Sequence, residues 1–188
     1  MNNKLLIVFA SLLIVPVPAL FFSFAPKGVE KEAIGRELSR IEKLVLAAAD
    51  AMPEDRYYFT PEDLHIKGSL FTGVRTFAGQ VKHLATDNYD MWCAITGDPI
   101  PAGIVDVNGP AEIKTKKDIM VYLQGSFAEG HKAMALLNNT NALDPIPFRG
   151  SNMARADLTY FALTHSCDHY GQLVVYLRLC GISPSPAR

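Results

Sequence analysis

The sequence predicts an all-α fold, a four-helix bundle with long connections after helices 1, 2 and 3. Three observations predict it. Four stretches carry apolar residues at helical spacing. Each is bounded by residues that cap or break helices. No stretch shows a convincing strand pattern, and neither a glycine-rich phosphate loop after a strand nor a serine-centred nucleophile elbow is present. Amphipathic helices of roughly three to seven turns bury their stripes best against one another.

The first helix runs from Val29 to Met52, with Ile34, Leu38, Ile41, Val45 and Ala48 on its stripe and Pro53 as its stop. A long polar and aromatic connection, Glu54 to Arg75, follows. Thr76 is the N-cap of a second helix reaching Thr96, with Phe77, Val81, Leu84, Met91 and Ile95 in its apolar row. Gly97-Asp98-Pro99 ends it, and Pro99 to Pro110 is a Pro/Gly-rich crossover. Thr115-Lys116-Lys117-Asp118 resembles a capping box with Asp in the acidic position. It opens a third helix through Met120, Leu123, Phe127 and Met134 that fades at Asn138-Asn139. An irregular loop runs to Ser151. The fourth helix covers Ala154 to Cys180, and Gly181 is its C′ residue.

The N-terminus reads as a targeting segment. Met1 to Lys4 is short and basic, Leu5 to Phe24 is almost wholly apolar, and Ser23 and Ala25 are small residues at the −3 and −1 positions of a cleavage site. The domain reading is therefore a signal peptide over 1–25 and a single bundle domain over 26–188, secreted or periplasmic. The alternative is an uncleaved membrane anchor, since about 20 apolar residues span a bilayer; Pro16 and Pro18 interrupt the run. A mature chain of about 160 residues suits one domain. The net charge is −1, and Lys114, Lys116 and Lys117 make a solvated face rather than a nucleic-acid stripe. The cysteines number three, so no disulfide framework follows. Cys93 and Cys180 suit core positions. They would stand at similar heights, within conceivable disulfide reach, if helices 2 and 4 ran parallel. Cys167 lies about 200° around the helix from His165 and faces away from it.

His165 and His169, in His165-Ser166-Cys167-Asp168-His169-Tyr170-Gly171-Gln172, are four residues apart on the fourth helix. Their imidazoles leave one face about 40° apart. Two inward imidazoles at this spacing can close on one metal ion, as in other helical zinc sites. His83, beside the apolar row of helix 2, can complete three nitrogen donors from two helices. Three protein ligands with an open fourth position is the pattern of a catalytic zinc site. Asp87, one turn from His83, is the candidate catalytic base, outer-shell acceptor or fourth ligand. Gln80 and Gln172 are further outer-shell candidates. Asp168 points to another side, His131 reads as a partly exposed residue, and His65 sits in a loop without supporting pattern.

Two segments carry a family resemblance: Arg75-Thr76-Phe77-Ala78-Gly79-Gln80-Val81-Lys82-His83-Leu84-Ala85, and His165 through Arg178, closed by Gly181-Ile182-Ser183-Pro184. About eighty residues separate the two motifs. The chain resembles the DinB-like (DinB/YfiT-type) superfamily of metalloenzymes. The resemblance implies a four-helix bundle and a divalent metal, zinc or nickel, held by one histidine of the second helix and two of the last: His83, His165 and His169 by motif match. Characterised members of that superfamily include thiol-dependent S-transferases and a maleylpyruvate isomerase that uses a low-molecular-weight thiol. The export signal sets this chain apart from typical members. The expected function is that of an exported metal-dependent enzyme, hydrolase or transferase in type, acting on an unidentified small molecule. The alternatives are a non-catalytic metal-binding or stress-related bundle protein, and a structural bundle that forms a homodimer through an apolar face. No nucleic acid is implied, and a membrane only if the N-terminal segment is uncleaved.

Overall fold

In the computed structural model, which describes residues 29–104 and 106–184, the chain forms helices α1 (Val29–Ala51), α2 (Phe77–Thr96), α3 (Lys116–Leu136) and α4 (Arg155–Leu179). A two-stranded antiparallel hairpin, β1 (Pro145–Phe148) and β2 (Ser151–Ala154), precedes α4. The apolar N-terminal run and its cleavage site after Ala25 lie outside the described residues. No helix among the described residues is long and apolar enough to cross a membrane.

Local chemistry sets the helix ends. Thr76 accepts a hydrogen bond from the Gly79 amide, and Gly97 closes α2 in the left-handed region at φ 80°. Thr115 accepts from the Asp118 amide, but the Asp118 carboxylate takes the Thr115 hydroxyl at 2.7 Å rather than the backbone N–H, so the predicted capping box is only half made. At the end of α4 the Gly181 amide bonds to Arg178 O at 3.0 Å and the Ile182 amide to Leu177 O at 2.8 Å. These are the two bonds of a Schellman cap, with Gly181 at C′. Two short 3₁₀ turns, Glu54–Arg56 and Pro61–Leu64, punctuate the connection after α1.

Cross-helix pairs define the topology. Thr86 meets Tyr122, and Asn88 meets Ser126, so α2 and α3 run parallel. Asn88 also meets Ser166, Arg155 donates to the Ile95 carbonyl, and Tyr176 donates to the Arg75 carbonyl, so α2 and α4 run antiparallel. Lys31 near the start of α1 reaches Ala135 O, and Lys116 at the start of α3 reaches Asp50 O. That makes α1 antiparallel to α3. Helices α1 and α2 sit diagonally across the bundle, as do α3 and α4, which is why long connections link them. Leu38, Val45, Phe77, Leu84, Trp92, Leu123, Phe127, Leu158, Leu173 and Leu177 fill the core with essentially no exposure.

Two expectations are corrected. Among the described residues a hairpin stands in the loop where no strand was expected. Its pairs are Pro145 with Ala154, Ile146 with Met153, Pro147 with Asn152 and Phe148 with Ser151. Pairs alternate between bonded and non-bonded along an antiparallel ladder. Counting from the two-residue turn, both prolines take non-bonded positions whose missing N–H costs no ladder bond. Ile146 and Phe148 alternate inward. The second correction concerns the cysteines. Because α2 and α4 are antiparallel, Cys93 and Cys180 lie at opposite ends of the bundle, and all three cysteines are free. Cys93 is buried and Cys180 half-buried.

A candidate three-histidine metal centre

The antiparallel register of α2 and α4 turns two i,i+4 pairs into one site. His83 stands opposite His169, and Asp87 stands opposite His165. The ring centroids of His83 and His169 are 4.8 Å apart, those of His165 and His169 4.5 Å, and those of His83 and His165 5.6 Å. One ligating nitrogen from each ring lies within 4.8 Å of the other two. His165 Nε2 and His169 Nε2 are 3.2 Å apart. Asp87 Oδ2 lies 3.1 Å from His165 Nε2 and 3.8 Å from His83 Nε2.

The 3.2 Å spacing of His165 and His169 fits two ligands of one divalent ion, and His83 stands within 4.8 Å of both. Two donors each about 2.0–2.1 Å from one zinc, at tetrahedral angles, stand about 3.3–3.4 Å apart. The tautomer at His83 is set for ligation: its Nδ1–H donates to Val107 O at 2.7 Å, leaving the Nε2 lone pair to face the other rings. His165 Nδ1 and His169 Nδ1 are buried without a protein partner. Burial keeps His83 below its ordinary value of 6.5, although the Val107 carbonyl and Asp87 pull the other way. Burial, reinforced by the neighbouring His165 and His83, pushes His169 down to about 4. Both rings are neutral at pH 7, as metal ligands must be. Burial acts to raise the Asp87 carboxyl, but the hydrogen bond with His165 and the charges of His83 and Arg149 outweigh it and hold the group below 3.8.

The walls come from irregular segments. Lys82 Nζ donates to Pro110 O at 2.7 Å and anchors the crossover that carries Val107. Gly109 adopts φ 76° against Thr86, where a Cβ would come within 2.6 Å of Thr86 Oγ1. A cavity of about 200 Å³ adjoins the site, lined by Thr86, Asp87, Ile100, Ile104, Val107 and Arg149 among others.

The remaining candidates separate cleanly. Gln80 is buried beside Tyr176, one turn from His83, with its Oε1 unpartnered. Gln172 bonds Asp168 at 2.9 Å on the solvent side. His131 pairs with Glu42 at 2.7 Å between α3 and α1. His65 is exposed, at φ 50° after a 3₁₀ turn. Cys167 lines a groove with Ala33, Ile34 and Leu163, away from the histidines as expected. Sequence reasoning missed Arg149, which bonds Asp87 Oδ1 at 2.9 Å and Asp90 at 2.8 Å. Its only sequence signal is Arg-Gly between two short alternating runs, which prolines disguise.

A family model described as the DinB superfamily matches residues 37–173, well over half of the chain, and that span contains His83, Asp87, His165 and His169. The chain belongs to the DinB superfamily. The four-helix bundle and the three-histidine group agree with that membership. Among curated proteins, none matches this DinB-superfamily chain.

Proposed function

We propose that this DinB-superfamily protein is an exported, metal-dependent enzyme of the hydrolase or transferase type that acts on a small molecule. The observation that carries the reading is the convergence of three imidazole nitrogens and one carboxylate oxygen, the carboxylate being that of Asp87, which also lines a small cavity. His83, His165 and His169 would hold the ion; all-imidazole donors suit zinc and also nickel. A divalent ion supplies Lewis acidity there. The other work falls to the chain's own groups. His83 is fixed by Val107 with its lone pair inward. Asp87 is kept ionised, so its Oδ2 can take a proton from a group entering the cavity, and Arg149 holds Oδ1 in place. Ile100 and Ile104 give the cavity an apolar flank.

The 3.1 Å approach of Asp87 Oδ2 to His165 Nε2 favours one competing reading. If Asp87 ligates, four protein donors close the site, as in non-catalytic binding proteins. Metal analysis of protein purified from its natural compartment, together with Asp87→Asn, decides between them. The enzyme reading expects one divalent ion per chain, metal retained in Asp87→Asn, and loss of turnover on a panel of small esters, amides and thiol acceptors. Loss of metal in Asp87→Asn supports the closed binding site. Wild-type protein without metal would overturn both.

A further inference from the structure

Arg149 occupies a position where an arginine is costly. It is the first central residue of the two-residue turn between β1 and β2, at φ 44°, followed by Gly150 at φ 79°. Two successive positive φ values make a type I′ turn, whose first position ordinarily takes Asn, Asp or Gly. A larger L-residue is strained there, because its Cβ crowds the following carbonyl oxygen. Strain kept at one residue beside a candidate site points to what its side chain does. The guanidinium lies 5.0 Å from the Phe148 ring centroid, and Phe148 is buried. From that platform Nη2 reaches Asp87 Oδ1 at 2.9 Å and Nε reaches Asp90 Oδ2 at 2.8 Å. Asp87 and Asp90 lie three residues apart on α2, so one planar fork spans both carboxylates. The consequence is directional. With Oδ1 taken by Arg149, Oδ2 is the oxygen Asp87 turns to His165 and His83.

We propose that Arg149 is the positioning residue of the site: the hairpin turn holds its guanidinium so that Asp87 presents one oxygen, Oδ2, to the three-histidine group. The inference rests on the three-histidine reading for its metal readout but not for its first readout. Two effects of removing Arg149 oppose each other. Loss of a cation beside the site would tighten binding of a divalent ion by Coulomb's law. Loss of orientation would weaken it, typically about ten- to a hundredfold for a partner that holds a ligand or its neighbour. Arg149→Lys separates the two, because lysine keeps the charge and lacks the fork.

The experiment compares wild type, Arg149→Ala, Arg149→Lys and Asp90→Asn, each shown to be folded by circular dichroism. In metal-free protein, ¹⁵N NMR of His165 reads the Asp87 contact directly. Both Arg149 variants are expected to shift the His165 ring nitrogens, and Asp90→Asn to shift them less. Cobalt(II) titration then reads the loaded site. Both Arg149 variants should bind cobalt about ten- to a hundredfold more weakly, with an altered visible spectrum. An unchanged His165 signal in Arg149→Ala would overturn the positioning role, whatever the metal does. Tighter cobalt binding in Arg149→Ala with wild-type behaviour in Arg149→Lys would also overturn it, since charge alone would then matter. Shifted His165 signals in both Arg149 variants, together with wild-type protein that binds no cobalt, would uphold Arg149 as the anchor of Asp87 and overturn the metal reading instead.

Discussion

Acid should destabilise the metal-free protein through His169. This ring is 5% exposed, and burial beside two other imidazoles lowers it from 6.5 to about 4. Between those values the unfolded chain binds a proton that the folded chain refuses. Stability therefore rises with pH across that window and is lost as pH falls through it. At pH 7 the folded ring is almost wholly neutral and the unfolded one about 24% protonated, a difference worth only about 0.2 kcal/mol. At pH 5 the unfolded histidine is about 97% protonated and the folded one about 10%, which amounts to a loss of about 2 kcal/mol. For a domain of this size that is about 4–8 °C in thermal midpoint. His83 is lowered too and adds in the same direction. Asp87 is held below 3.8, so its contribution is lost only in stronger acid and leaves the window to the histidines. The assay is thermal unfolding of chelator-treated wild type and His169→Gln at pH 7 and pH 5. The variant should lose most of the pH dependence whatever its absolute stability. Equal pH slopes in the two proteins, or an NMR titration midpoint for His169 near 6.5, would refute the reasoning.

Four further outcomes are expected. His165→Ala should abolish stoichiometric metal binding while His65→Ala leaves it intact, as read by elemental analysis; equal losses would place the ion elsewhere. Gly109→Ala should destabilise the fold by about 1–2 kcal/mol in chemical denaturation. It should also weaken metal binding, because the left-handed glycine packs on Thr86 and supports the Val107 carbonyl that fixes His83. Thiol titration under denaturing conditions should find all three cysteines free, and one free thiol would contradict the antiparallel placement of Cys93 and Cys180. Intact mass of protein from the extracytoplasmic fraction should correspond to a chain beginning near Pro26, whereas a full-length mass in the membrane fraction would show an anchor.

The helices were legible because their signals are local and redundant. The stripes from Ile34 to Ala48 and from Phe77 to Ile95, the caps at Thr76 and Thr115, and the C′ glycine at Gly181 each depend on neighbours within about two turns. The observed helices Val29–Ala51, Phe77–Thr96 and Arg155–Leu179 end within about one residue of the expected bounds. Helix direction was not legible in the same way. Whether α2 runs with α4 or against it depends on how the connections cross the bundle, and no local residue states that. The disulfide idea for Cys93 and Cys180 hung on that one undetermined sign. The hairpin escaped because Pro145 and Pro147 argue against a strand until the register is known. Their harmlessness depends on which pairs are bonded, and that follows from the position of the Arg149-Gly150 turn.

The same division runs through the site itself. His83 and Asp87, and His165 and His169, are spaced so that each helix shows two donors on one face. That much is visible in the chain, and the antiparallel register brings the pairs together. Which state those donors adopt is decided from outside the helices. The Val107 carbonyl, on a crossover pinned by Lys82 and Gly109, chooses the tautomer of His83. The Arg149 fork, on a strained turn, chooses which oxygen Asp87 turns inward. Neither residue belongs to a periodic pattern, and neither type is an obvious site residue: one acts through its backbone, the other through a neighbour's carboxylate. A histidine pair on a helix face is compatible with an ordinary polar core contact. What sets this group apart is that two irregular segments, one of them strained at Arg149, converge to orient it. The fold therefore supplies position through its regular elements and chemical state through its irregular ones. Of the two, the second is the stronger sign that these side chains have a task beyond packing.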